Sequence, residues 1–169
     1  MTVAPELSRP FAVERLGEGG VEERIVATAA ERAAVVRRLD LVALDSLAAL
    51  LVLRLAAGGT LLEITGRIEA RVTQSCVVTL EPVSADLALP VEIIYALTRA
   101  APGQTEETLD PDAPEPLPPG GLDLGEEVVQ MLALGLDPYP RAPGAALPPS
   151  AGAAVDHPFA KLKALKPRE

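Results

Sequence analysis

The sequence predicts an α+β fold: a curved antiparallel β-sheet, a meander with barrel-like curvature, carrying an early helix and an acidic helix further on. Three observations predict it. Residues 60–78, TLLEITGRIEARVTQSCVV, place Leu62, Ile64, Ile68, Ala70, Val72, Gln74 and Cys76 on one parity and Glu63, Thr65, Arg67, Glu69, Arg71 and Thr73 on the other. That is the period of a strand with one dry and one wet face. Residues 29–40, AAERAAVVRRLD, follow Thr28 in a Thr-x-x-Glu arrangement that opens helices by reciprocal capping. Residues 122–140, LDLGEEVVQMLALGLDPYP, begin with Asp-x-x-Glu, carry Leu124, Val128, Met131, Leu132 and Leu136 at helical spacing, and stop at Pro138 and Pro140.

The remaining elements follow in order. PFAVERL (10–16) and VEERIVAT (21–28) read as two short strands joined through GEGG in a hairpin. In the helix 29–40, Ala33, Val36 and Leu39 mark the side that packs. LAALLVLRLAA (47–57) suits a strand or a helix by period alone, and the Gly-Gly at 58–59 favours a strand entering a hairpin. Gly66 predicts a bulge or bend within 60–78. Glu81-Pro82 turns the chain into a further long strand, 83–100. The organisation expected is a sheet domain over 1–100, a proline-rich acidic loop over 101–121, a helix over 122–140 packed on the same domain, and a linker with a basic tail over 141–169.

Composition narrows the function. Hydrophobic residues make up 49% of 169, enough for a core, but aromatics are only 2%, leaving little with which to stack bases or sugars. The formal net charge is −9. Nine acids and no Lys or Arg lie between residues 100 and 140, so the 15 acids left elsewhere balance the 15 bases and the whole excess sits in one stretch. An acidic chain repels phosphate backbones, because nucleic-acid affinity comes largely from cations that displace counterions. A basic protein is the partner this charge favours. The start of the chain lacks the apolar stretch of a signal peptide, and 39–57 is interrupted by Asp40, Asp45 and Arg54, so a soluble, cytoplasmic protein with no membrane partner is expected.

Reactive constellations are wanting. Cys76 is the one cysteine and His157 the one histidine, separated by a proline-rich linker, so neither a thiol nor a serine nucleophile has a base placed beside it. On its strand, Cys76 falls on the apolar parity and reads as a small buried hydrophobe. One Cys and one His do not make a structural zinc site. Neither GEGG nor AAGG has the context of a phosphate loop. No enzyme activity, cofactor or metal is expected. The candidate contact residues are Glu106 and Glu107 of the loop, Asp123, Glu126, Glu127 and Met131 of the helix, and Phe159, Lys161 and Lys163 of the tail, where Phe159, Leu162 and Leu165 also recur at helical spacing.

Three stretches, TGRIEARVTQSCVVTLEPV (65–83), LDLGEEVVQMLALGLDPYPRAP (122–143) and HPFAKLKALK (157–166), occur in this order and resemble the YceD family, the bacterial large ribosomal RNA subunit accumulation proteins. Many members carry Cys-x-x-Cys before the Leu-Glu-Pro turn and further cysteine after Tyr-Pro, a set that could form a zinc knot. Here those positions are Cys76, Thr79 and the cysteine-free RAPGAALPP. The resemblance therefore implies the fold and the biology without the metal, with hydrophobic packing expected to hold the place of Cys76. It implies a non-enzymatic part in ribosome assembly, supporting accumulation of 23S rRNA. Members are often encoded beside a large-subunit ribosomal protein, so the partner expected is a basic ribosomal or assembly protein. Direct binding of 23S rRNA or its precursor is the alternative, through Arg54, Arg67 and Arg71 of the sheet and Lys161, Lys163 and Lys166 of the tail.

Overall fold

Seven strands and two α-helices appear among the described residues of the computed structural model, which are 5–17, 19–97 and 113–146. In chain order they are β1 (Pro10–Phe11), β2 (Val21–Val26), α1 (Ala29–Leu39), β3 (Ala43–Ala56), β4 (Leu61–Ser75), β5 (Pro82–Ala96), β6 (Glu115–Pro116), β7 (Leu122–Asp123) and α2 (Leu124–Gly135). The main sheet runs β2-β3-β4-β5-β6, antiparallel except for the last pair, and stays open rather than closing into a barrel. β1 and β7 form a separate two-stranded ribbon.

Alternation along the three long strands decides what is buried. Leu47, Ala49, Leu51 and Leu53 of β3 meet Leu62, Ile64, Ile68, Ala70 and Val72 of β4 and Val91 and Tyr95 of β5 on one face. The helices cover that face, α1 lying against β3 and α2 against β5 and β4. Val35 of α1 and Leu124, Val128, Val129 and Leu132 of α2 complete the core. Such clustering removes apolar surface from water at roughly 25 cal/mol per Å2. The other face of the sheet has no element over it among the described residues.

Both helices start as the sequence predicts. Thr28 accepts from the Glu31 N–H at 3.3 Å while the Glu31 carboxylate accepts from the Thr28 N–H at 2.7 Å, the reciprocal box. Asp123 caps α2 through the N–H groups of Gly125 and Glu126.

Four local readings are corrected. Residues 10–16 do not pair with 21–28: Pro10 and Phe11 pair with Asp123 and Leu122, a turn of 3-10 helix follows at Val13–Arg15, and β2 pairs with β3. Two short segments joined by Gly-rich residues look alike whether they pair with each other or with distant strands. Gly66 introduces no bulge, since Leu51, Gly66 and Val91 stay in register; the irregularity lies at Leu44/Ser46. Gly66 is required by crowding instead, because a Cβ there would stand 2.1 Å from the Leu50 carbonyl oxygen. In α1 it is Val35 that is fully buried, with Val36 and Leu39 partly so and Ala33 exposed. The acidic loop is not loop throughout: its C-terminal end forms β6, pairing Glu115 with Tyr95 and Pro116 with Ala96.

Candidate interaction site

The N-terminal segment, α1 and the first turn of α2 meet in a network of opposite charges. Asp123 organises it. Its Oδ1 accepts from the Arg9 N–H at 2.7 Å as well as from the two capping N–H groups, and its Oδ2 accepts from the Ser8 hydroxyl at 2.6 Å. The carboxyl lies below its ordinary range: burial would raise it, but the hydrogen bonds from Arg9, Ser8, Glu126 and Gly125 together prevail. Gly125 is small for a steric reason, since a Cβ there would meet the Leu7 carbonyl oxygen at 2.4 Å.

Arginines clamp the neighbours. Arg38 of α1 grips Glu126 with two bonds of 2.7 and 2.6 Å and also reaches Glu6 at 2.9 Å. Arg9 holds Glu31 at 2.7 and 3.2 Å, which draws the Glu31 carboxyl down to about 2, helped by the Thr28 N–H. Glu127 faces the opposite way, toward the sheet, and accepts from the Tyr95 hydroxyl at 2.7 Å. Burial raises its carboxyl above the usual range, and the nearby Glu126, Asp123 and Glu115 charges add to this. Burial, then the Glu127 contact, pushes the Tyr95 phenol up as well.

Each helical candidate residue thus has a place. Asp123, Glu126 and Glu127 all have partners within the chain. Met131, partly buried against the core, lines a narrow crevice between α2 and the sheet together with Leu51, Ile64, Ile68, Val91 and Ile93. Glu106, Glu107, Phe159, Lys161 and Lys163 lie outside the described residues, as do His157 and Lys166. What is described of the acidic loop is its base: Leu97 donates to the Thr60 carbonyl at 2.9 Å and Leu117 to that of Ala96 at 3.2 Å. The loop therefore leaves and rejoins the fold at the end of the sheet where β3 turns into β4.

At the other end of β4 stands Cys76. It is fully buried, as expected, but it lies just past the strand in a turn, outside the contiguous apolar cluster, and its surroundings are polar. The sulfur accepts from the N–H groups of Val78 and Thr79 at 3.4 Å each and of Ala142 at 3.3 Å. The Thr79 hydroxyl sits between this sulfur and Glu81 Oε2, 3.2 Å from the latter. The Thr79 side chain, then the Ala142 N–H, pull the thiol down to about 6 against the opposing effect of burial. So polar donors, three of them backbone N–H groups, surround the sulfur, and the one from Ala142 ties the β4–β5 turn to the segment after α2. Structural zinc takes four Cys or His ligands, and a thiol beside a threonine hydroxyl does not fit it; among the described residues no three His, Cys, Asp or Glu side chains gather where an ion could be held.

The uncovered sheet face has its own charge pattern. Register places Glu22, Val52, Thr65 and Glu92 in one row, Arg24, Leu50, Arg67 and Pro90 in the next, and Val26, Ala48, Glu69 and Ala88 beyond. Arg54 and Glu63 pair on one flank, Arg71 and Asp86 on the other. Arg67 reaches Glu69 at 2.8 Å, and Arg71 lies 3.8 Å from both Asp45 and Asp86. With four guanidiniums against six carboxylates, this face is not a cationic surface.

The sequence profile of a family described as Large ribosomal RNA subunit accumulation protein YceD matches residues 64–166. The chain belongs to this family. The match takes in β4 from Ile64 onward, the Cys76 turn, β5, α2 and the tail through its last lysine, and the family's name ties the protein to accumulation of large-subunit ribosomal RNA. No curated protein and no solved structure matches the chain. Among the described residues no helix is long and apolar enough to cross a membrane.

Sequence reasoning missed Glu6, Arg9, Arg38 and Tyr95, the groups that occupy the helical carboxylates. Glu31 alone had a signal, as the third residue of its capping box. Contacts such as Arg38–Glu126, 88 positions apart, leave no local trace.

Proposed function

We propose that the protein acts without catalysis in large-subunit assembly, holding a basic ribosomal or assembly protein through the acidic loop at the β3–β4 end of the sheet. The observation that carries this reading is where the acid excess is left once internal pairs are set aside. Asp123, Glu126 and Glu127 are engaged by Ser8, Arg9, Arg38 and Tyr95. They serve to fix the loop's base and the start of α2. The contact then falls to Glu106, Glu107, Asp110 and Asp112 together with the exposed Glu115. Complementary charge of this kind governs encounter rate and choice of partner.

Direct recognition of rRNA by the sheet face is the weaker reading, because Arg67 and Arg71 stand beside carboxylates and the face as a whole is anionic. The test is retention of proteins from lysate on the full chain after RNase. A single basic ribosomal or assembly protein should remain, and should be lost when Glu106, Glu107, Asp110 and Asp112 are changed to Gln or Asn. Retention unaffected by those changes but abolished by Lys161→Gln, Lys163→Gln and Lys166→Gln, or abolished by RNase alone, would overturn the proposal.

A further inference from the structure

The Cys76 end of the molecule displays apolar side chains that the acidic loop does not account for. Val77, Leu80 and Tyr139 are 48%, 78% and 71% exposed. They are nonetheless held firmly. The Val77 N–H donates to the Pro140 carbonyl at 2.9 Å, the Leu80 N–H to that of Cys76 at 3.0 Å, and the Tyr139 N–H to Asp137 Oδ1 at 2.9 Å. Gln74 Nε2 reaches the Asp137 carbonyl at 2.9 Å, and the three N–H bonds to the Cys76 sulfur close the arrangement.

Leu80 is the least expected of the three. Its φ of 63° lies in the left-handed region, where glycine sits without penalty and a leucine does not. The left-handed backbone closes the turn, its N–H bonded to the Cys76 carbonyl and its carbonyl accepting from the Ser75 hydroxyl at 3.3 Å, but a glycine would do the same without a large apolar side chain in water. Backbone outliers of this kind point toward a contact rather than toward stability.

We propose that this surface is the docking site of the chain's own C-terminal segment, residues 158–166, with Phe159 and Leu162 covering Tyr139, Leu80 and Val77. Four observations favour that occupant. The described chain ends at Ala146, four residues after Ala142, whose N–H is bonded to Cys76, so the tail sets out from the patch itself. Twelve residues separate Ala146 from Phe159, a tether with a reach of about 40 Å. A tether that short holds its end at an effective concentration on the order of millimolar, so a weak contact suffices. The charges also suit: Lys161, Lys163 and Lys166 alternate with the apolar residues, and Glu81 and Asp137 border the patch. Finally, the family match runs unbroken from β4 through the turn and α2 to Lys166, so patch and tail belong to one family unit. The inference concerns the end of the sheet opposite the acidic loop and stands apart from the choice of partner.

The chain has two tyrosines and no tryptophan, and Tyr95 is buried, so acrylamide quenching of tyrosine fluorescence reports Tyr139. The full chain is compared with the full-chain variant Phe159→Ser, Leu162→Ser, Leu165→Ser. Docking predicts that the variant is quenched severalfold more strongly, and that protection in the native chain does not change on dilution. Leu80→Gly, which relieves the backbone without disturbing the turn, should also increase quenching by removing part of the contact. Equal quenching of native chain and triple variant would overturn the proposal, since the patch would then be open. Protection that fades on dilution would overturn it in favour of a second copy, and protection appearing only with added lysate would do so in favour of an external partner.

Discussion

Replacing Asp123 by alanine separates a structural role for the α2 carboxylates from a direct contact role. One side chain makes four hydrogen bonds that join the N-terminal segment to the helix start. Loss of an N-cap carboxylate costs about 1 kcal/mol. The Arg9 N–H, partly buried, loses its acceptor as well, which adds about 1–2 kcal/mol. The β1–β7 ribbon depends on the same join, and it seats Phe11 and Leu122 in the core. Asp123→Ala should therefore lower stability by about 2–3 kcal/mol at neutral pH, read as a shift of the urea midpoint at constant slope. Asp123→Asn keeps the oxygen that faces three N–H groups and should cost less than half as much. The acid limb gives a second reading. The folded carboxyl titrates below its ordinary value of 3.8, so its contribution is complete above that pH and is lost as the pH falls through the folded value. Glu31 is lost in an overlapping window, from 4.5 toward about 2, so the Asp123 share is the difference between the native chain and Asp123→Asn. An Asp123→Ala protein within about 0.5 kcal/mol of native stability, the scatter of ordinary surface changes, would refute the reasoning. If that protein had also lost its partner, Asp123 would belong to the contact surface.

Three further outcomes are expected. Gly66→Ala drives a Cβ into the Leu50 carbonyl at the centre of the sheet and should destabilise by about 3 kcal/mol, measured by the same unfolding curves; a neutral effect would mean that the strands can separate there. Glu127→Gln keeps an acceptor for Tyr95 but removes a charge whose folded carboxyl is raised above 4.5. Ionisation of that group weakens the fold as pH rises through the raised value, so the variant should be more stable at pH 7 by on the order of 0.5 kcal/mol, discounted for partial exposure, and equal to the native chain near pH 4. Cys76→Ala strands three N–H donors and should lower the thermal midpoint more than Cys76→Ser does. In the native chain the thiol, at about 6 against 9.0 unfolded, contributes fully above pH 9 and loses that contribution as pH falls through 6, a slope that Cys76→Ser should abolish.

Period and capping made the large elements readable. Alternation alone placed Leu62, Ile64, Ile68, Ala70 and Val72 on the dry face, where all five are buried, because a half-buried strand imposes its period on the sequence. The caps of α1 and α2 could be read for the same reason, since each is satisfied within four residues. What could not be read was everything set by long-range pairing: the ribbon between residues 10–11 and 122–123, the return of Glu115 to Tyr95, and the arginines that neutralise Glu126 and Glu31. Cys76 shows the limit most clearly. Its parity foretold burial correctly, yet parity is silent on whether a buried sulfur meets methyl groups or amides, and here one of the three amide donors comes from Ala142, 66 residues away.

The length of β4 ties the two charged segments together. The acidic loop is rooted beside Leu61, which pairs with Ala96, and the basic tail sets out beyond the turn that follows Ser75. Fourteen residue steps at about 3.3 Å put these roots up to roughly 45 Å apart, less whatever the strand's twist removes. Surface charges at that range are screened from one another several times over at physiological salt, where the Debye length is about 8 Å. Had the tail begun beside the loop, its three lysines would be the nearest cations to Glu106 and Glu107, and the chain would neutralise its own acid. Separating the roots lengthens the chain that such an encounter must close, so on the proposed readings the loop meets an external cation, and the tail meets Val77, Leu80 and Tyr139, at a lower cost than the two segments meet each other.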